Sequence, residues 1–383
     1  MRVLVAGWIG STNLGDELVF AGLRQLLAEQ GAQVAAISRD PAVTRRLHGV
    51  GAVADTDVAG LWQAVGSADA MVFGGGGLLQ DTTSPFNLPY HLSRPLLARL
   101  RGVPVAGLGL GAGALDTRLG RMLVCSGVGR FTALTVRDRE SQELLAGLAG
   151  GRAGQGVSGA GCGGVELGSD LAFALPLPEV AGGAGAGHGP DDARVLAVCL
   201  RPWSGERGRL PAQARDHDTP QPQVEVLAAG LGRIMDDTAV KVRFLAFQAD
   251  RDDAVHRRVA SLLPSAHADR VEFVNASLDR VIGQMASATA VVSMRYHGGI
   301  AATLAGRPVV LIDYAPKVSS LAEELGPAAR LLAWDPDDLA RLPTVLAAVL
   351  DQEQAVVAAR EALRRRQEVN RAALAALASA AGR

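Results

Sequence analysis

Two kinds of segment alternate along this chain, and their alternation restricts its fold more than any other property of the sequence. RVLVAG, QVAAIS, AMVFGGGG, PVAGLGLGAG and FTALTVRD are apolar nearly throughout. Amphipathic runs such as DELVFAGLRQLLAEQG, TRLGRMLVCSGVG and RESQELLAGLAG lie between them. A strand that is apolar on both faces is buried on both faces, the condition of a parallel sheet with helices above and below. SDLAFAL reads as a short strand closing this half. After a stretch rich in Pro, Gly and Ala the theme restarts, with RVLAVCLRPW, KVRFLAFQ, VEFVN, AVVSMRYH and PVVLIDYAP as strands. The fold class expected is α/β: two doubly wound, Rossmann-like domains with a ligand cleft between them, lined by C-terminal strand ends.

The expected organisation is a first domain over residues 1–175, a linker over 176–193 (PLPEVAGGAGAGHGPDDA), and a second domain over 194–345. A final helix over 346–383 is long enough to pack back on the first domain. A chain of 383 residues suits two such cores. Net charge is −1, which removes the global electrostatic case for nucleic acid. Cys125, Cys162 and Cys199 are odd in number and dispersed, so they read as reduced thiols of a cytoplasmic protein. The start, MRVLVAGWIG, lacks the basic and long apolar regions of a signal peptide. No run approaches the roughly 18 apolar residues of a membrane span.

The chemistry-bearing residues fall at strand ends. GWIGSTNLGDELVF (7–20) places Gly7, Gly10 and Gly15 in the first loop and Asn13 and Asp16 at a helix start. Glycines let backbone N–H groups approach a ligand, and a helix N-terminus favours anions. The spacing is not that of the dinucleotide fingerprint, which disfavours an NAD-dependent oxidoreductase. Asp16 also admits a purely structural role as a helix N-cap. FGGGGLLQD (73–81) brings backbone close to something through Gly75, Gly76 and their neighbours, either a ligand or a packed helix. Gly107, Gly109, Gly111 and Gly113 repeat the pattern on the next strand. TVRDRES (135–141) ends a strand in Arg137, a candidate anion contact or a salt-bridge partner.

MRYHGGI (294–300) is the sharpest local signal. Arg295 offers a planar fork for carboxylate or phosphate. His297 brings a residue type that can donate or accept a proton. Their i, i+2 spacing points both side chains one way if the strand extends that far. YAPKV (314–318) sets Lys317 at the next strand end, in a chain whose only lysines are Lys241 and Lys317. No His, Cys or carboxylate cluster has metal-ligand spacing, so no metal is expected.

Taken in order, GWIGSTNLGDE, FGGGGLLQD, VRDRES, RYHGG and YAPKV resemble the polysaccharide pyruvyl transferase family over about residues 3–325. The branch most similar is the bacterial cell-wall enzyme that places a pyruvate ketal on N-acetylmannosamine of a secondary cell-wall polymer, the polymer gripped by S-layer-homology domains. The resemblance implies a GT-B-like fold and a transferase that takes phosphoenolpyruvate as donor substrate and uses no cofactor. It implies a donor site of Arg137, His297 and Lys317, with Arg295 beside them. Tyr296, Gly298, Ala315 and Leu108 depart from the family's usual leucine, alanine, aspartate and polar residue.

On that resemblance His297 protonates C3 of the enol, a sugar hydroxyl attacks C2, and phosphate leaves as a second hydroxyl closes the ketal. Asp16 is the candidate acceptor of a hydroxyl proton. The acceptor expected is a saccharide on a polyprenyl carrier. YHLSRPLLARLRG (90–102) then reads either as a face resting on the inner membrane surface or as an ordinary amphipathic helix with a solvated basic side. Two rivals stand beside this reading. One is a GT-B glycosyltransferase with a nucleotide-sugar donor, which needs acidic ribose contacts that only the region of Asp279 hints at. The other is a non-catalytic scaffold on a degenerate transferase fold, against which Arg137, His297 and Lys317 all count.

Overall fold

The computed structural model describes residues 1–81, 84, 86–150, 164–177, 194–204 and 219–382. Most of the expected linker (178–193) and Cys162 lie outside them. The chain divides into two compact units. One comprises Met1–Ser11, Asp16–Leu175 and Ala362–Arg383, the other Thr12–Gly15 and Pro176–Glu361.

In the first unit the strands are β1 (Arg2–Ala6), β2 (Gln33–Ser38), β3 (Gly51–Ala54), β4 (Ala70–Leu79), β5 (Val105–Ala112), β6 (Ala133–Val136) and β7 (Glu166–Leu167). They form one parallel sheet in the order β3-β2-β1-β4-β5-β6-β7. Strand periodicity divides their side chains between two cores. Leu4, Met71, Phe73 and Val105 share one face, while Val3, Val5, Val72 and Ala106 share the other. The register Val3↔Ala70 and Leu4↔Met71 keeps each set together across strands.

The second face is covered by Leu23, Leu26 and Leu27 of helix Leu14–Glu29 and by Leu374 and Leu377 of helix Gln367–Ala381. Leu374 and Leu377 are fully buried, which stabilises by roughly 1.5–3 kcal/mol each. A buried polar network fixes that last helix. Asn370 accepts from the Thr135 hydroxyl at 2.5 Å and donates to the Ser169 carbonyl at 3.2 Å. Gln367 donates to the Asp170 carbonyl at 2.8 Å.

SDLAFAL does not form the expected strand. Leu171–Ala174 is a 3-10 turn, because the Asp170 carboxylate accepts from the Ala172 N–H at 3.0 Å and caps it.

The second unit repeats the winding. Its strands are β8 (Val195–Cys199), β9 (Lys241–Ala246), β10 (Val271–Asn275), β11 (Ala290–Ser293), β12 (Val309–Asp313) and β13 (Ala329–Ala333). They are parallel, in the order β10-β9-β8-β11-β12-β13. Two strands are shorter than the apolar runs suggest. β11 stops at Ser293, whose hydroxyl turns to the Arg295 carbonyl at 2.7 Å, and helix Tyr296–Leu304 begins. β12 stops at Asp313, and Pro316 opens helix Pro316–Leu325 with its φ preset for a first turn.

Candidate functional site

In each sheet the order reverses once, between β1 and β4 in the first unit and between β8 and β11 in the second. In open sheets of this kind the loops leaving such a pair of strands part to opposite faces, and ligands bind at their C-terminal ends. The motif residues lie around these points.

In the first unit, helix Leu14–Glu29 carries Asp16 in its first turn. Asp16 is not the cap: Asn13 holds that place, its Oδ1 accepting from the Gly15 N–H at 3.2 Å. The neighbouring Glu17 has a structural task. It is buried, pairs with His48 at 2.7 Å, and accepts from the Ser11 N–H at 3.0 Å.

The four glycines ending β4 divide into two kinds. A Cβ on Gly74 would stand 2.9 Å from the Leu108 carbonyl, and one on Gly75 1.9 Å from Val19. Those two are explained by packing. A Cβ on Gly76 would lie 3.5 Å from Asp16 Oδ1 and one on Gly77 3.9 Å from Arg137 Nη2, both ordinary distances. The end of β4 thus runs between Asp16 and Arg137; Gly76 has φ +84°, which itself favours glycine, so Gly77 is the one of the four that neither packing nor backbone conformation requires.

Arg137 is buried at the end of β6. Its Nε donates to Asp138 at 3.1 Å and its Nη1 to Asp170 at 3.5 Å. Gly111 admits it, since a Cβ there would stand 2.8 Å from the guanidinium. Two carboxylates therefore hold the orientation of this arginine.

The loops after β1, β2 and β3 supply Trp8, Arg39 and Asp55. Arg39 stacks over Trp8 at 4.5 Å, and the Tyr90 hydroxyl donates to Asp55. Burial and that bond push the Tyr90 phenol up to about 12, so it stays a donor. Burial, helped by Arg94 and Arg39, brings His91 down to about 4 and keeps it neutral.

In the second unit, three adjacent strands deliver side chains to one region. β8 leads to Arg201 and Trp203, β11 to Arg295 and His297, and β12 to Tyr314 and Lys317. Arg295 is turned inward. Its guanidinium makes a forked contact with Asp252, with Nε at 3.0 Å from Oδ2, and both groups are buried. Because β11 stops short, Arg295 and His297 do not share a strand face. Arg295 is the N-cap residue, and His297 stands in the first turn of the following helix, its ring edge-on to Tyr296 at 5.1 Å.

Gly298 and Gly299 have packing reasons. A Cβ on Gly298 would lie 2.3 Å from the Ser293 hydroxyl, and one on Gly299 2.9 Å from Leu311. Gly15 faces His297 closely: a Cβ there would stand 2.3 Å from Nδ1.

Tyr314 is the centre of a cationic group. Arg201 Nη1 donates to its hydroxyl at 3.3 Å, Lys317 Nζ lies 5.5 Å from its ring, and Trp203 packs edge-on at 5.2 Å. Burial pushes this phenol up. The charges of Lys317, Arg201 and Arg295, with a hydrogen bond from Lys317, outweigh burial and bring it down to about 7. Nearby, His256 accepts from the Leu200 N–H at 3.0 Å, and burial with the Arg295 charge lowers it to about 3. Burial and Asp252 push the Cys199 thiol well up, so it is unreactive.

Arg201, Trp203 and Tyr314 were not singled out by sequence reasoning. The first two follow a strand, as the quoted motifs do, so the same rule could have found them. Asp252 and Asp170 carry no such signal. Among the described residues, no group of three His, Cys, Asp or Glu side chains is placed to hold a metal ion.

The model of the polysaccharide pyruvyl transferase family matches residues 13–316. No curated protein matches the chain. Among solved structures the chain is similar to UDP-GlcNAc 2-epimerase from Neisseria meningitidis bound to UDP-GlcNAc, with 11% identity over 97% of this chain and 98% of that one and a TM-score of 0.58. It is similar to Anabaena Alr3699/HepE in complex with UDP-glucose, with 14% identity over 99% and 100% and a TM-score of 0.57. It is similar to S. aureus MnaA with UDP, with 10% identity over 94% and 91% and a TM-score of 0.58. At these identities the likeness is one of fold, two parallel-sheet α/β domains of the GT-B-like kind.

Proposed function

The chain belongs to the polysaccharide pyruvyl transferase family, and we propose that it transfers the pyruvyl group of phosphoenolpyruvate to a sugar as a ketal, releasing phosphate. The observation that carries this reading is the family match over residues 13–316, which takes in Asp16, Arg137, Arg295 and His297. The grouping of Arg201 and Lys317 about Tyr314 adds support, because a donor with a carboxylate and a phosphate needs fixed cations.

His297, as imidazolium, gives its proton to C3 of the enol, and C2 becomes electrophilic. A sugar hydroxyl bonds to C2 and loses its proton, for which Asp16 is the proposed acceptor. The C2–O bond to phosphate breaks, a second hydroxyl bonds to C2, and its proton leaves with the phosphate. Lys317 and Arg201 hold the anionic donor and stabilise the departing phosphate. Arg137 is a proposed anion contact, and Asn13 and Gly76 are proposed to lie against substrate; Gly75, packed on Val19, is left to the fold. Arg295 acts on charge from behind, since its fork is taken by Asp252. The acceptor proposed is a lipid-linked polymer precursor ending in N-acetylmannosamine, of the kind that anchors S-layer proteins, modified in the cytoplasm.

The test is phosphate release from phosphoenolpyruvate with an aryl disaccharide ending in N-acetylmannosamine, for wild type and His297→Ala. The expected result is acceptor-dependent phosphate, a product heavier by one ketal-linked pyruvate, and loss of both in the variant. Release with a different sugar alone would replace the acceptor named here. Tight binding of UDP or GDP with no release would replace the reaction by nucleotide-sugar transfer.

A further inference from the structure

Helices Asn87–Leu100 and Arg118–Val128 pack side by side in the first unit, and each turns an apolar stripe outward. On the first the stripe is Phe86, Leu96 and Leu100, at 77%, 53% and 72% exposure. Their spacing, together with the exposed Pro89 and Ser93, is that of a single helix face. On the second the stripe is Leu119 and Met122, at 59% and 55%. A globular protein rarely leaves so many large apolar side chains together in water without a partner.

The charge around them names the partner. Residues 86–130 contain six arginines and one acid, Asp116, a balance of +5 in a chain whose net charge is −1. Arg94 is turned onto Tyr90, but Arg101, Arg118, Arg121 and Arg130 are exposed. Arg101 lies over the half-exposed Trp62 ring at 4.2 Å, which adds an aromatic of the kind that sits at a bilayer interface. Among the described residues, no helix is long and apolar enough to cross a membrane.

We propose that this two-helix face docks on the surface of an anionic lipid bilayer, with Phe86, Leu96, Leu100, Leu119 and Met122 entering the headgroup boundary and the arginines meeting lipid phosphates. Apolar side chains alone would suit a second copy of the chain. A symmetric self-contact, however, would press two strongly positive faces together, which costs free energy. An anionic surface satisfies both the stripe and the charge. The inference does not depend on which group the enzyme transfers, though it would bring the site to a lipid-carried acceptor.

The test is co-sedimentation of the full chain with vesicles of phosphatidylglycerol and phosphatidylcholine, against vesicles of phosphatidylcholine alone. The expected result is binding to the anionic vesicles that weakens as salt rises, with little on neutral ones. Leu100→Asp with Met122→Asp should lower binding about tenfold or more, on the order of the transfer free energy of one apolar side chain. Arg101→Glu with Arg118→Glu should do the same while leaving the apolar stripe whole. These are surface positions, so the variants should keep the circular dichroism and turnover of a water-soluble acceptor shown by wild type. Absence of binding to anionic vesicles at low salt overturns the proposal, as does binding that all four substitutions leave unchanged. A dimer in solution that the same substitutions dissociate overturns it in favour of self-association.

Discussion

Asp252 accepts the forked guanidinium of Arg295 and, through Oδ2, the N–H groups of Phe247 and Gln248 at 3.1 and 3.0 Å. The pair fastens the end of β11 to the turn that follows β9. Arg295 therefore stabilises the architecture of the cationic region before it does anything to a ligand.

Removing one partner of a buried pair leaves an uncompensated charge, at a cost of about 3–5 kcal/mol. Asp252→Ala is expected to lose that much in urea unfolding. Asp252→Leu with Arg295→Met should recover most of it, because neither charge is then buried. A loss below about 1 kcal/mol in Asp252→Ala would show that water reaches the arginine and that the pair is not structural.

The glycines of β4 make separable predictions. Gly75 has φ +79° and no space for a Cβ, so Gly75→Ala should destabilise by about 2 kcal/mol or more. Gly77 has no positive φ and meets Arg137 only at 3.9 Å, so Gly77→Ala should leave the unfolding midpoint nearly unchanged. If Gly77→Ala nonetheless raises a substrate KM severalfold, a ligand lies against that backbone. If stability and kinetics are both untouched, Gly77 has no role in binding.

These cases mark what the sequence could tell. The two parallel sheets were legible because a strand buried on both faces must be apolar throughout, and such runs are easily seen between amphipathic helices. The placing of motifs at strand ends followed from the same pattern. What stayed hidden were the partners. Asp252 sits in a polar helix 43 residues before Arg295, and nothing local distinguishes it from its neighbour Asp253. A carboxylate turned inward to an arginine is a tertiary fact. The role of Gly298 and Gly299 was hidden likewise, because Ser293 and Leu311 meet them only once strand and helix are folded together.

Tyr314 supplies a spectroscopic prediction. The chain has three tyrosines, and Tyr90 is pushed up to about 12. Near-ultraviolet difference absorbance should therefore show one phenol ionising near pH 7, absent in Tyr314→Phe. The folded-state value lies below the unfolded one of about 10. Between the two, the unfolded chain holds a proton that the folded chain has lost. Stability from this group should rise with pH across that window, at up to about 1.4 kcal/mol per pH unit, and is lost as pH falls through 7. Phosphoenolpyruvate bound among the same cations should move the transition upward. A tyrosine that titrates only near 10 would mean that Arg201 and Lys317 are too solvated to act on it.

The closeness of Gly15 to His297 gives the most direct test of the histidine. A methyl group at residue 15 would stand 2.3 Å from Nδ1, so the ring must turn away. Gly15 has no positive φ, so the substitution carries no backbone strain of that kind. Because Cγ and Cβ of His297 would also lie within 2.8 and 3.1 Å of that methyl, Gly15→Ala is expected to move the whole imidazole by a large part of an ångström, at a cost of about 1–3 kcal/mol in urea unfolding. Displacement on that scale costs about 100-fold in rate when a group acts in the reaction. kcat should fall by that order in Gly15→Ala, approaching the loss in His297→Ala, while the KM for phosphoenolpyruvate changes little. The double variant should be no slower than His297→Ala alone, since both changes remove one function. If Gly15→Ala turns over at the wild-type rate, the ring has either kept its place or has no part in the chemistry, and a normal rate in His297→Ala would decide for the second.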